Sequence, residues 1–282
     1  MHISRVRIRR AAAGEDPSNW ARALESPDWL AHSTPLKVDG PSWVRLATTA
    51  HDGRPVVIKC RPTTSISERI KALTRTSRGD RHWNGARWLA DNDFDTATPL
   101  LLADATIDAR RCELLITEYI PARTLLEHLA AADLPPRDEH AIARELATMT
   151  SRMLAKGRYN RDAKPSNLLI ARRPDGTPRI VVIDTVAIRR GDGKSRRSVA
   201  PLILEAIGTG CEPRRALKAR FIHELVRQTL ARHALDNASD SARRAAVRLA
   251  WRIIEDDVRR HGDPRPRVNP LQPSTNEKAR VS

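Results

Sequence analysis

The sequence predicts an α+β chain in two lobes, a small antiparallel-sheet lobe followed by a mainly helical one. Three observations carry that expectation. Hairpin signals cluster in the first 120 residues, helical periodicity takes over from Asp138, and the chain turns almost wholly helical downstream of Val199. At 282 residues such a chain can bury roughly three quarters of its unfolded surface, so a core needs no disulfides.

The first hairpin is VRLATTAHDGRPVVIK, where Asp52-Gly53 is a strong turn dipeptide between alternating Val44 and Leu46 and alternating Val56 and Ile58. The second is PLLLADATIDARRCELLITEY, two apolar runs around a polar turn near Asp108; it can share one antiparallel sheet with the first. Residues from about Glu68 to Asn92 read as helix between them, broken near Gly79. In the next helix, Asp138 to about Lys156, Ile142, Leu146, Met149 and Met153 recur on one face. The third hairpin, NLLIARRPDGTPRIVVID, turns at Asp175-Gly176, and helices follow near 199–208, 213–234 and 240–260.

Lys plus Arg number 50 and Asp plus Glu 34, giving a net charge of +16 carried almost wholly by Arg. Such a charge points either to base composition or to an anionic partner: a nucleotide, a phosphorylated sugar, an acidic membrane surface or nucleic acid. Nucleic acid is the weakest of these, because the chain shows no zinc motif and no aromatic-studded strand for stacking bases. Cys60, Cys112 and Cys211 have no metal-ligand spacing, which suits a reducing compartment. No apolar run reaches the ~20 residues that cross a bilayer.

The stretch Asn160-Arg161-Asp162-Ala163-Lys164-Pro165-Ser166-Asn167 lies between the apolar-faced helix and the third hairpin. An Asp and an Asn five residues apart on a loop can face one cleft. There Asp162 can orient or deprotonate a hydroxyl, the Asn167 side-chain oxygen can ligate Mg²⁺, and Lys164 can offset charge on a transferring phosphoryl group. Asp184 ends the strand Ile180–Ile183 and is a natural second metal ligand. Lys59, ending Val56-Val57-Ile58, is a lone ammonium in an apolar strand that calls for an anionic partner.

In order and spacing these residues resemble the protein-kinase-like fold, and within it the lipopolysaccharide kinase family that phosphorylates Kdo or heptose sugars of the lipid A core. The resemblance covers roughly residues 35 to 230. It implies a kinase-like N-lobe over 35–120 and a C-lobe over 121–261, with residues 1–34 as an N-terminal extension and 262–282 as a disordered tail. It implies ATP and Mg²⁺ as cofactors and transfer of the γ-phosphoryl group to a sugar hydroxyl, with an anionic sugar or glycolipid as acceptor. Asp162 and Lys164 then act on the transferring group, Asn167 and Asp184 hold the metal, and Lys59 grips the nucleotide phosphates. Gly40, in GPSWV, stands where the family has its glycine-rich phosphate loop, and Glu118 and Ile120, in LLITEYI, mark the hinge that offers backbone groups to adenine. The implied location is cytoplasmic, with peripheral contact on an acidic inner-membrane face.

Departures from the family pattern are specific. Asn160 replaces the loop His, Thr185-Val186 follows Asp184 in place of Phe-Gly, and no residue of RHWNGARWLADND is an evident carboxylate partner for Lys59, with Glu68 a substitute in an earlier turn. No Ala-Pro-Glu follows Asp184, which points away from a regulated protein kinase. The basic run from Arg189 to Arg197 reads as a solvated loop or an anionic-acceptor site. Two alternatives are a pseudokinase that binds without turnover and a nucleic-acid binder.

Overall fold

The computed structural model describes residues 2–26, 32–49, 52–191, 195–232, 239–260 and 270–271. The chain is α+β and divides into two compact units, Met1–Ile120 and Pro121–Leu271.

Among its described residues the first unit has a six-stranded antiparallel sheet and three helices. Its strands are β1 (Ile3–Ala11), β2 (Thr34–Asp39), β3 (Ser42–Thr48), β4 (Pro55–Pro62), β5 (Pro99–Ile107) and β6 (Arg110–Glu118), in the order β1-β5-β6-β4-β3-β2. The first two expected hairpins do share this sheet, joined where β4 pairs with β6 from Val56↔Glu118 to Pro62↔Cys112. The β5–β6 turn is tight, with Asp108 and Ala109 both at positive φ (45° and 65°). Helix α1 (Pro17–Glu25) starts on the Asp16 cap and lays Trp20 and Leu24 against one sheet face, over Val56, Ile58, Leu101, Leu114 and Ile116. The opposite face carries Leu102 and Leu115 under Trp83.

Two helices occupy the β4–β5 connection, α2 (Ile66–Leu73) and α3 (Arg78–Ala90). The break spans residues 74–77, two to five before Gly79, because the Ser77 side chain accepts from the Asp80 N–H and starts α3 there. Gly79 serves close packing inside the first turn of α3. A Cβ at that position would lie 2.5 Å from Leu102 Cδ1 and 2.7 Å from Glu113 Cδ.

Residues 3–11, set apart in the sequence as part of an extension, form the edge strand β1 of the sheet, paired with β5 from Ile3↔Ile107 to Ala11↔Leu101. Its Arg9 side chain is 7% exposed. The guanidinium meets Asp80 at 3.0 Å and Asp104 at 3.3 Å, pairs closely with Glu113, and donates to the Ala72 carbonyl at 3.4 Å. Glu113 in turn accepts from the Gly79 N–H at 2.6 Å. One arginine thus ties β1 to β6, to the start of α3 and to the end of α2. The same burial pushes the Asp104 carboxyl above its usual range, against the pull of Arg9.

The second unit comprises α4 (Leu125–Ala131), α5 (Pro136–Ala155), β7 (Arg158–Asn160), a 3₁₀ turn at Pro165–Asn167, β8 (Leu168–Arg172), β9 (Pro178–Val182), β10 (Ile188–Arg190), α6 (Ser195–Gly208), α7 (Arg215–Arg232) and α8 (Asp240–Arg260). Among the described residues three helices thus follow the third hairpin, as the periodicity predicts. Helix α5 starts with Pro136 at its first turn and buries Ile142, Leu146 and Met153. The third hairpin forms as β8–β9, with Gly176 at φ 79° in its turn. Strands β7 and β10 pair across it, Asn160 opposite Ile188. The expected tail over 262–282 lies outside the described residues save Pro270 and Leu271. No helix of the described residues is long and apolar enough to cross a membrane.

Helix α7 packs on α5, where Gln228 Nε2 donates to Thr148 Oγ1 at 2.8 Å and to Glu224 Oε1 at 2.9 Å. Hydrogen bonds from Arg227, and then from Gln228, pull the Glu224 carboxyl down to about 2 from 4.5. A folded-state pKa below the unfolded one contributes stability above the unfolded value and loses it as pH falls toward the folded value. Glu224→Gln is therefore expected to lower the urea midpoint at pH 7, with the gap to the parent narrowing below about pH 4.5 and closing near pH 2. A gap that stays constant with pH would show that the carboxylate charge is not what Glu224 contributes.

Candidate active site

The loop between β7 and β8 is held by its own backbone and by two side chains from outside it. Asn160 is buried, and its Oδ1 accepts from the Asp162 N–H at 3.0 Å. The Arg161 N–H donates to the Ala187 carbonyl at 3.1 Å, and the Lys164 N–H to the Asp162 carbonyl at 2.8 Å. Pro165 starts the 3₁₀ turn, which closes as the Asn167 N–H donates to the Lys164 carbonyl at 2.9 Å. These bonds fix the backbone before any side-chain chemistry is considered.

On that frame Asp162, Lys164 and Asn167 come together. Lys164 Nζ lies 2.9 Å from Asp162 Oδ1. Asn167 Nδ2 donates to the Asp162 carbonyl at 3.0 Å and to Asp162 Oδ2 at 3.3 Å. The amide nitrogen is thereby spent on Asp162, and the amide oxygen is the atom left to offer a ligand. The Asp162 side chain is 32% exposed and Lys164 44%, so both groups reach solvent and an incoming molecule.

Asp184 reaches the same neighbourhood through the hairpin register. Leu168 pairs with Val182, and the Ile183 N–H donates to the Asn167 carbonyl at 3.0 Å, so Asp184 follows directly on the residue bonded to Asn167. It is half-buried, and its Oδ1 accepts from the Val186 N–H at 3.2 Å, an Asx turn that leads the chain away over the fully buried Thr185. Among the described residues no three His, Cys, Asp or Glu side chains gather as a metal cluster. Asn167 and Asp184 offer one amide and one carboxylate oxygen. That hard, oxygen-only donor pair fits Mg²⁺, which keeps waters and phosphate oxygens in its remaining positions.

Glu205, on α6, was not singled out by sequence reasoning. It is 8% exposed and accepts from both the Ser166 N–H (2.8 Å) and the Ser166 hydroxyl (2.6 Å), bracing the turn between Lys164 and Asn167. Its sequence signal was an acidic residue inside the apolar run Leu202-Ile203-Leu204-Glu205-Ala206. Arg189 and Arg190 of the basic run lie in or beside β10, whereas Asp192 to Lys194 fall outside the described residues.

The other four candidates belong to the first unit. Lys59 is half-buried in β4, opposite Val44 and Leu115, on the sheet face that carries Leu115 and Trp83. Next to it, a hydrogen bond with Cys112, then burial, push the Cys60 thiol up, so Cys60 stays protonated. Gly40 (φ 55°) and Pro41 alone connect β2 to β3, since Asp39 already pairs with Ser42. The Glu118 N–H donates to the Thr98 carbonyl at 2.9 Å while its carboxylate accepts from the Thr98 N–H at 3.0 Å. Ile120 is half-buried at the end of the unit. Glu68, weighed as a partner for Lys59, has its carboxylate in the capping box of its own helix, accepting from the Ser65 and Thr64 N–H groups. Asp80 is taken by Arg9 and Arg10.

Compared with known proteins, the chain matches no protein-family model and no curated protein sequence.

Proposed function

We propose that the protein is an ATP-dependent phosphotransferase of protein-kinase-like fold that acts on a hydroxyl, with a lipopolysaccharide-type sugar, Kdo or heptose, as acceptor. The observation that carries this reading is the Asp162–Lys164–Asn167 constellation, closed by bonds of 2.9, 3.0 and 3.3 Å and followed by a hairpin that returns Asp184 beside Asn167. Asp162 accepts the acceptor hydroxyl's hydrogen bond and takes its proton as the oxygen bonds to the γ-phosphorus and the bond from that phosphorus to the β–γ bridging oxygen breaks, releasing ADP. Lys164, already paired with Asp162, follows the charge onto the moving group. In this reading Lys59 would hold the nucleotide phosphates, and Glu118 and Ile120 would offer backbone groups to adenine. Asn167 and Asp184 would hold Mg²⁺, which neutralises charge on the β- and γ-phosphate oxygens when bound.

A second reading, a nucleotide-binding protein without turnover, is favoured by one observation. The two-residue connection at Gly40-Pro41 is too short to wrap phosphates with a run of backbone N–H groups. Calorimetry of Mg²⁺-ATP binding tests the shared premise. Binding that requires Mg²⁺ and is lost in Asp184→Asn is the expected result; no binding by folded parent protein would overturn both readings. Transfer of labelled phosphate to sugar acceptors then separates them.

A further inference from the structure

Helix α2 has no buried residue. Its Ile66, Ile70 and Leu73 are 74%, 54% and 74% exposed. At 3.6 residues per turn these three fall within about 60° of one another, so they form one apolar stripe turned to solvent. The helix is nevertheless well made. Ser65 and Glu68 close a capping box at its start, and the buried Arg9 guanidinium donates to the Ala72 carbonyl in its last turn. A short helix capped at one end, tethered at the other and burying nothing is positioned for something outside the chain.

The surroundings of the stripe are cationic. Arg69 and Lys71 are exposed on α2 itself. Beside Leu73 a cavity of about 280 Å³ is lined by Arg7, Arg9, Arg10 and Arg75 against a single carboxylate, Asp80. Asp80 and Glu113 occupy Arg9, and Arg10 meets Asp80 at 3.2 Å and Asn84 at 2.7 Å, whereas Arg7 and Arg75 are exposed. Aliphatic side chains on one helical face, with guanidinium groups at their base, match the boundary of an anionic bilayer, where acyl chains lie just beneath phosphate headgroups. A protein partner fits less well, since a helix of eight residues presents only a fraction of the roughly 800 Å² that each side of a stable interface buries.

We infer that α2 and the Arg7–Arg75 cavity form a docking surface for an anionic membrane, with Ile66, Ile70 and Leu73 inserted among the lipids and the cavity taking a lipid phosphate. This inference is independent of the phosphotransfer reading. The test is co-sedimentation of the whole chain with phosphatidylcholine vesicles, with and without phosphatidylglycerol. Binding is expected only when phosphatidylglycerol is present and should fall as salt is raised. The Ile66→Ser/Ile70→Ser/Leu73→Ser variant should bind at least about tenfold more weakly, and so should Arg7→Glu/Arg75→Glu. All five substituted side chains are solvent-exposed, and an unchanged melting temperature confirms that the variants fold. Parent protein that ignores both vesicle types, or a triple-Ser variant that binds as the parent does, would overturn the inference. So would self-association of the parent without vesicles that the triple-Ser variant abolishes, because the stripe would then cover a second copy.

Discussion

Asp162→Ala is expected to reduce ATP-dependent phosphoryl transfer by about 100- to 10,000-fold, the range over which a positioned general base contributes, while leaving the melting temperature within a few degrees of the parent. The second half of this expectation follows from how the loop is held. The bonds that place residue 162 run through its backbone: its N–H to Asn160 Oδ1, and its carbonyl to the Lys164 N–H and to Asn167 Nδ2. Alanine keeps all three. It loses the ion pair to Lys164 and the 3.3 Å contact with Asn167, both at a partly exposed side chain where such pairs contribute little to stability. Asp162→Asn, which keeps the shape and removes the proton acceptor, should be nearly as inactive. A parent-like rate of phosphate transfer in either variant would remove Asp162 from the mechanism.

The largest effect on stability is expected at Arg9. Arg9→Met leaves Asp80, 1% exposed, with Arg10 as its remaining cation and takes the ion-pair partner Arg9 from Glu113, 6% exposed. Breaking a buried ion network from one side costs about 3–5 kcal/mol, read as a drop in the urea midpoint of the first unit. Neutralising the acids as well, in Arg9→Met/Asp80→Asn/Glu113→Gln, should recover much of that loss, because the cost lies in stranded charge more than in missing attraction. A loss below about 1 kcal/mol in the single variant would mean that solvent reaches the network.

Legibility in the sequence followed the range of the interaction. Asp52-Gly53 and Asp175-Gly176 announce their hairpins because a turn is decided by the residues in it. Ile142, Leu146 and Met153 announce α5 because a helix face repeats within a few residues. The grouping of Asp162, Lys164 and Asn167 was legible for the same reason: the three lie within eight consecutive positions. Strand β1 was not. Its apolar residues Ile3, Val6 and Ile8 do not keep a period of two, since the strand is irregular between Ser4 and Arg7 and again between Ile8 and Arg10, with Arg5 at φ 53°. Arg9 looks like any of its neighbours in VRIRR, and only partners 71 and 104 residues away make it a buried cation. Glu205 is the same case in α6, an acid whose burial depends on Ser166, 39 residues earlier.

The pairing of Ile3 with Ile107 also has a consequence for the order of events during synthesis. Strand β1 leaves the ribosome well before it can find its place, since its neighbour β5 is made about a hundred residues later. At about 5–20 residues per second that interval is roughly 5–20 s. Over that time Ile3, Val6 and Ile8 travel with a cluster of arginines, whose mutual repulsion discourages the nascent segment from pairing with other chains.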